Sequence, residues 1–171
     1  HLKPGDLVLD LGCSNGAHAL AAARCVWQVV GVDYDRAALS VAADSARRAA
    51  RDNLRLFAVD LTGRLPFRDS SFDAVLFLDV IEHLEPRGHV LGEIARVLRP
   101  DGRLLVSAPN RETSWRRRLR EAGLFAFSDP DHKIEYTETE FLSELRAGGF
   151  APDGPVMPVV YDTAWAGVIG V

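Results

Sequence analysis

At 171 residues, 47% of them hydrophobic, the chain has enough apolar surface for one domain around a single core, and no Pro-, Gly- or Ser-rich linker divides it. A net charge of −4 and a pI near 5.7 argue against nucleic acid as the partner, which a basic balance would have signalled. No apolar run reaches a bilayer span, no charged-then-apolar leader opens the sequence, and Cys13 and Cys25 have no metal-ligand pairing around them. The expectation is a cytoplasmic protein without a structural disulfide.

The first predicted element is a strand over Leu7–Leu11, bounded by Pro4-Gly5 and by Gly12, of the kind a parallel sheet covers on both faces. Gly12 supplies a turn that a β-carbon would obstruct. Asn15 can then cap a helix over Gly16–Ala23, whose small residues let it lie close to the sheet and to a ligand. The next run, Val29-Val30-Gly31-Val32-Asp33, is a second buried strand ending in a carboxylate that can accept both hydroxyls of a ribose. A strand, a glycine turn into a helix, and a second strand ending in an acid form the device by which α/β sheets hold a nucleoside-bearing cofactor. The dinucleotide fingerprint G-x-G-x-x-G is not present: the spacing is Gly12-x-x-x-Gly16, with Ser14 between and Ala17 and Ala19 beyond, a loop poorly suited to a diphosphate.

Further along, Arg36–Arg51 is alanine-rich and helical, Leu54–Ala58 a short strand, Phe72–Leu78 a central strand, Arg87–Leu98 a helix and Arg103–Ser107 a strand. The β-α alternation places the chain in the α/β class. Arg111, Arg116, Arg117, Arg118 and Arg120 crowd one stretch in which Trp115 and Leu119 stand four apart on a helical face. That is either a solvated basic helix packed through Trp115 or a contact for an anionic substrate or membrane surface. Thr137-Glu138-Thr139-Glu140 forms a capping box opening a helix that stops at Gly148-Gly149, and the runs 156–160 and 165–171 read as a closing strand pair.

Four ordered motifs between Asp6 and Asn110 carry a family resemblance. Asp10, Gly12, Ser14 and Gly16 resemble the acidic residue and G-x-G-x-G loop of the class I S-adenosylmethionine-dependent methyltransferases, with serine at the middle glycine. The stretch from Leu65 to Val75 is similar to the loop-and-strand signature of the small-molecule branch, of the quinone-biosynthesis type. Asp79-Val80-Ile81-Glu82-His83-Leu84 is similar to its post-strand motif, and Arg96–Val106 to its helix-turn-strand hairpin. The resemblance implies a Rossmann-like three-layer sandwich, a seven-stranded mostly parallel sheet with an antiparallel last strand, formed as one domain over residues 1–171. It also implies that lid helices found ahead of the first strand in relatives are missing, and that residues 111–136 are an insertion over the substrate pocket.

The implied cofactor is S-adenosylmethionine, leaving S-adenosylhomocysteine as product. By the same resemblance Asp10, Gly12, Cys13, Ser14 and Gly16 border the methionine moiety, mostly through backbone, Asp33 holds the ribose and Tyr34 lies against adenine. Asp60 accepts the adenine amino hydrogen, Leu61 offers its backbone N–H, and Asp79 meets the methionine ammonium through its carbonyl. The ordinary alternative for Asp33 and Asp60 is a helix cap or strand-end acid, and two acids ending strands on one side favour the ligand. Cys13 is read as a loop residue and His18 as helix surface. Transfer from a cationic sulfur needs alignment and removal of the acceptor's proton, so His83, near neutral in its free pKa and following the fourth strand, is the candidate general base. Its ordinary alternative is to pin a helix start.

The set Asp79-x-x-Glu82-His83 with His132 also resembles the E-x-x-E-H…H arrangement by which small-RNA 2′-O-methyltransferases bind a divalent ion. Asp79 is short for the first position and every ligand has a structural role available, so the reading adopted has no metal. The expected reaction is methyl transfer to a small-molecule acceptor at oxygen, the acceptor being anionic if the arginine run contacts it. The alternatives are a metal-dependent RNA 2′-O-methyltransferase, a catalytically silent S-adenosylmethionine-binding scaffold, and a nicotinamide-dependent oxidoreductase, the last disfavoured by the loop.

Overall fold

The computed structural model describes residues 1–154 together with the backbone of residues 157–159 and 164–170. Strands β1 (Leu7–Leu11), β2 (Gln28–Asp33), β3 (Leu54–Ala58), β4 (Phe72–Leu78) and β5 (Leu98–Pro109) form a parallel sheet in the order β3-β2-β1-β4-β5. Helices α1 (Ala17–Ala22), α2 (Arg36–Arg48), α3 (Arg87–Val97), α4 (Ser114–Glu121) and α5 (Glu138–Ala147) are the connections, with a 3₁₀ turn at Ile81–His83.

Alternation along the strands builds two cores. In β1, Val8 points to a face covered by Ala19, Ala22 and Ala46 of α1 and α2, while Leu9 and Leu11 point to the other, against Val90, Leu91, Ile94 and Val97 of α3 and Phe141 and Leu145 of α5. Strand β4 divides the same way, Ala74 and Leu76 against Val75 and Phe77. Alanines on one face and larger aliphatics on the other let α1 and α2 approach the sheet closely. Both faces are covered, as a parallel sheet requires, and the result is the Rossmann-like three-layer arrangement.

The backbone of β8 (Ala164–Gly170) runs antiparallel to β5, with Val168 opposite Leu105, and β6 (Ala151–Pro152) and β7 (Met157–Val159) each pair with β8. Eight strands therefore take part among the described residues where seven were expected, because the chain between α5 and β8 makes two short strands instead of one. Residues 156, 160 and 171 of the expected closing pair lie outside the described residues.

Other boundaries moved for local reasons. Helix α2 ends at Arg48 and not Arg51, since Ala50 turns left-handed at φ 49°. Strand β5 starts at Leu98, whose partner is Phe72, so the Arg99–Gly102 stretch expected as a turn belongs to the strand, with a register shift opposite. Gly16, at φ 81°, is the N-cap of α1 in place of Asn15, although Asn15 Oδ1 still accepts from Ala17 N–H at 3.3 Å. The Thr137–Glu140 capping box forms as the spacing predicts, and Asp35 caps α2 by accepting from Ala37 and Ala38 N–H.

No helix among the described residues is long and apolar enough to cross a membrane. The strand order reverses between β1 and β4, and ligands of open α/β sheets bind in the crevice that such a reversal opens at the carboxyl ends.

Candidate functional site

A cavity of about 530 Å³ lies at that reversal and is lined by Gly12, Asp33, Tyr34, Asp60, Leu61, Asp79 and His83 among the predicted residues. The volume is in the range of a cofactor-sized ligand. Gly12 is required there: at φ 72°, a β-carbon on it would sit 2.6 Å from Val80 Cγ2. Asp33 ends β2 and is buried, and its carboxylate accepts from Ser14 N–H (2.8 Å) and Asp35 N–H (2.9 Å). One acid thus fixes both the glycine loop and the start of α2 while lining the cavity. Ser14, where the family loop has a glycine, sits at φ 46°, and its bond to Asp33 helps hold that uncommon conformation.

Asp60 is exposed, and its Oδ1 accepts from the N–H (2.9 Å) and the hydroxyl (2.8 Å) of Thr62, which hold its pKa below the usual carboxylate value. Leu61 is buried beside it, and Tyr34, 81% exposed, stands on the rim. Asp79 is left-handed at φ 53°, fixed by Ser107: its N–H donates to the Ser107 carbonyl (3.2 Å) and Oγ (3.1 Å), and Ser107 Oγ donates to its Oδ1 (2.9 Å).

Asp10, Cys13, Ser14 and Gly16 do not line the cavity. The Asp10 side chain is 2% exposed beneath the loop, and its Oδ2 has no hydrogen-bond partner. Burial lifts its pKa to about 7, partly offset by the Ala19 N–H, and lifts the Cys13 thiol to about 12, which makes that sulfur a poor nucleophile. Thr62, Val80, Leu84, Asp131 and Lys133 complete the lining. Of these, Val80 and Leu84 belong to the motif that follows β4, and Thr62 carries the signal of an Asx-type turn two residues after Asp60.

A second cavity of about 350 Å³ shares Asp79 and His83 with the first and adds Glu82, Pro109, Trp115, Arg116, Ser128, Asp129 and His132. Glu82 is 1% exposed with neither carboxylate oxygen hydrogen-bonded, and burial raises its pKa to about 8. His132 Nδ1 lies 3.0 Å from Glu135 Oε1 and its Nε2 3.9 Å from Glu82 Oε1. His83 packs edge-on to His132, and burial and then His132 lower its pKa. Glu82, His83 and His132 bring possible ligand atoms within 4.8 Å of one another, and Asp79, the fourth member of the predicted ion set, is not among them.

The arginine run behaves differently from its sequence reading. Helix α4 packs through Arg116, not Trp115: Arg116 is 1% exposed, pairs with fully buried Glu135 at 3.1 Å and donates to the Asn110 carbonyl, while Trp115 is 41% exposed. Burial lowers the Arg116 pKa and Glu135 opposes that shift. Glu135 further accepts from the Ser128 N–H (2.6 Å) and hydroxyl (2.8 Å).

Two carboxyls buried without a full set of partners give an unusual pH response. Their folded pKa values lie above the unfolded ones, so the stabilisation is complete below about pH 4 and is lost as pH rises toward 7 for Asp10 and 8 for Glu82. Glu93, held near 2 by Arg96, acts oppositely and only as pH falls below about 4.5. Thermal unfolding of the ligand-free protein is therefore expected to show a higher Tm at pH 5 than at pH 8. Asp10→Asn should narrow that difference, raising the pH 8 value by several degrees more than the pH 5 value; a wild-type Tm that climbs from pH 5 to 8 would contradict this.

Comparison with known proteins bears on the same residues. A family model described as a methyltransferase domain matches residues 9–106, the span from β1 through most of β5. The 27-O-demethylrifamycin SV methyltransferase of Amycolatopsis mediterranei is 35% identical over 162 residues, covering 89% of this chain and 56% of the relative, so the chain spans about half the length of that protein. Among solved structures, a SAM-dependent methyltransferase from Aquifex aeolicus superposes with a TM-score of 0.80 at 19% identity, over 100% of this chain and 85% of the other. The [4+2]-cyclase SpnF superposes with a TM-score of 0.74 at 28% identity, over 90% of this chain and 54% of that one. With the glycine loop, the β1/β4 crevice and the strand-end acid in place, the chain belongs to the methyltransferase-domain family, whose cofactor is S-adenosylmethionine.

Proposed function

We propose that this domain transfers a methyl group from S-adenosylmethionine to a hydroxyl of a small molecule, with the cofactor in the first cavity and the acceptor in the second. The observation that carries the reading is that two cavities, one with the Asp33 carboxylate braced by Ser14 and Asp35, meet at Asp79 and His83. The residues fit the cofactor: a strand-end carboxylate with free lone pairs suits a ribose, Asp60 and Leu61 suit an adenine edge, and Gly12 leaves room where a β-carbon would collide. When bound, the cofactor supplies a methyl group on a cationic sulfur. The protein's part is to align the acceptor oxygen with that carbon, exclude water and take the proton.

His83 is the residue for the proton. It stands where the cavities join, and its lowered pKa keeps the imidazole unprotonated at neutral pH. The acids Asp79 and Asp129 on the acceptor side, together with the engagement of Arg116 by Glu135, favour a hydroxyl-bearing acceptor over an anionic one. Asp79 already accepts from Ser107, which supports transfer without a resident divalent ion. The relative named for 27-O-demethylrifamycin supports oxygen as the acceptor atom.

S-adenosylhomocysteine release over a panel of hydroquinones and hydroxylated macrocycles tests the reading. His83→Ala is expected to lower kcat by about 10²- to 10⁴-fold at unchanged cofactor affinity. The wild-type rate should rise along an acid limb centred below the ordinary histidine value and be flat from pH 7 to 8. An acid limb that persists in His83→Ala removes His83 as the base, and full inactivation by EDTA with recovery on Mg²⁺ contradicts the metal-free reading. A second reading, a cofactor-binding scaffold without transfer, is supported by the likeness to a [4+2]-cyclase. Tight S-adenosylhomocysteine binding with no turnover on the panel would favour it.

A further inference from the structure

Three of the seven large hydrophobic side chains that stand exposed among the described residues fall within eleven positions: Trp115 (41%), Leu124 (60%) and Phe125 (65%). They flank the arginines of α4. Because Arg116 is drawn inward onto Glu135, its neighbours Arg117 and Arg118 are turned to solvent, and neither forms an ion pair among the described residues. Arg120 is exposed as well, one nitrogen donating to the Arg111 carbonyl at 2.9 Å. Guanidinium groups beside exposed aromatic and aliphatic side chains, on a chain whose net charge is −4, make this face the local exception in both charge and polarity.

We propose that the α4 face, from Trp115 to Phe125, docks the protein on an anionic lipid bilayer. Each feature suits that occupant. Arginine forks match phosphate oxygens in pairs, and Trp, Leu and Phe bury apolar area at the level of the headgroups. The acidic remainder of the chain is repelled by the same surface, so the field orients as well as attracts. Docking is peripheral, since no helix among the described residues is long and apolar enough to span the membrane. Trp115 and Arg116 also wall the second cavity, so the docked face brings that cavity to the lipid surface, where an acceptor dissolved in the bilayer could enter. This last consequence rests on the reading of the second cavity as the acceptor site; the docking itself does not.

Vesicle co-sedimentation of the intact chain tests the docking without any acceptor. The protein should bind vesicles of phosphatidylcholine with one quarter phosphatidylglycerol, bind pure phosphatidylcholine far more weakly, and release as salt rises from 0.05 to 0.5 M. Arg117→Gln with Arg118→Gln should lower the partition coefficient roughly 30-fold. Leu124→Ser with Phe125→Ser should weaken binding while keeping its salt dependence. Calorimetry with S-adenosylhomocysteine on the same variants should match wild type, which separates loss of docking from loss of the fold or of the cofactor site. Equal binding to both vesicle types, no binding to either, or wild-type partitioning of the double arginine variant overturns the proposal. Tighter binding to a single-stranded RNA 20-mer than to the anionic vesicles overturns it in favour of a nucleic acid.

Discussion

Asp33→Ala is expected to weaken S-adenosylhomocysteine binding by about 2 to 4 kcal/mol, roughly 30- to 1000-fold. The carboxylate would give charge-assisted hydrogen bonds to ribose hydroxyls, and it is also the acceptor for Ser14 and Asp35 N–H, so its removal loosens the loop that shapes the cavity. Equilibrium dialysis measures the loss directly. Asp60→Ala should cost less, because Asp60 is exposed and the neighbouring Leu61 backbone shares the contact proposed for it. Unchanged affinity in Asp33→Ala would remove Asp33 from the site, and a larger loss in Asp60→Ala would reverse the proposed division of the work.

Arg116→Met is expected to destabilise the domain by about 3 to 5 kcal/mol, near the lower end because Ser128 and His132 still contact Glu135. The cause is the under-compensated carboxylate left behind: Glu135 is fully buried, and without the guanidinium it loses its one arginine partner and keeps only Ser128 and His132. The Tm should fall by roughly 8 to 15 °C. Removing both members, Arg116→Met with Glu135→Met, should recover most of that loss, since two apolar groups of similar volume need no solvation. A Tm for Arg116→Met equal to wild type would show that the pair is not buried in solution. The same comparison separates Arg116 from its neighbours, because Arg117→Gln and Arg118→Gln should leave the Tm within about 1 °C.

The contrast among these three arginines shows where the sequence was readable. Elements governed by nearby residues appear as expected: β3 and β4 fall on the predicted residues, and Thr137 and Glu140 cap α5 reciprocally, because strand patterning and capping are set within a few positions. That Asp33, Asp60, Asp79 and His83 would line one crevice was also readable, since each ends a strand or follows one on the side where the strand order reverses. Arg116 was not. Three consecutive arginines carry no phase, and the choice of which one turns inward is made by Glu135, nineteen positions on, which is itself placed by the bridge between Asn110 and Tyr136. Asp10 was readable as part of the loop motif, whereas the burial of its side chain beneath the loop is set by its place on β1. Glu82 and His132 were noted in sequence, yet only the fold shows Glu82 without hydrogen-bond partners and Glu135 behind His132.

S-adenosylmethionine is proposed to sit in the β1/β4 crevice, held by the Asp33 carboxylate. Isothermal titration of the ligand-free protein with S-adenosylhomocysteine, run in parallel with NAD⁺, tests it most directly. One binding site per chain for S-adenosylhomocysteine, lost in Asp33→Ala, with no heat from NAD⁺, is the predicted result; saturable NAD⁺ binding with none for S-adenosylhomocysteine would contradict the account.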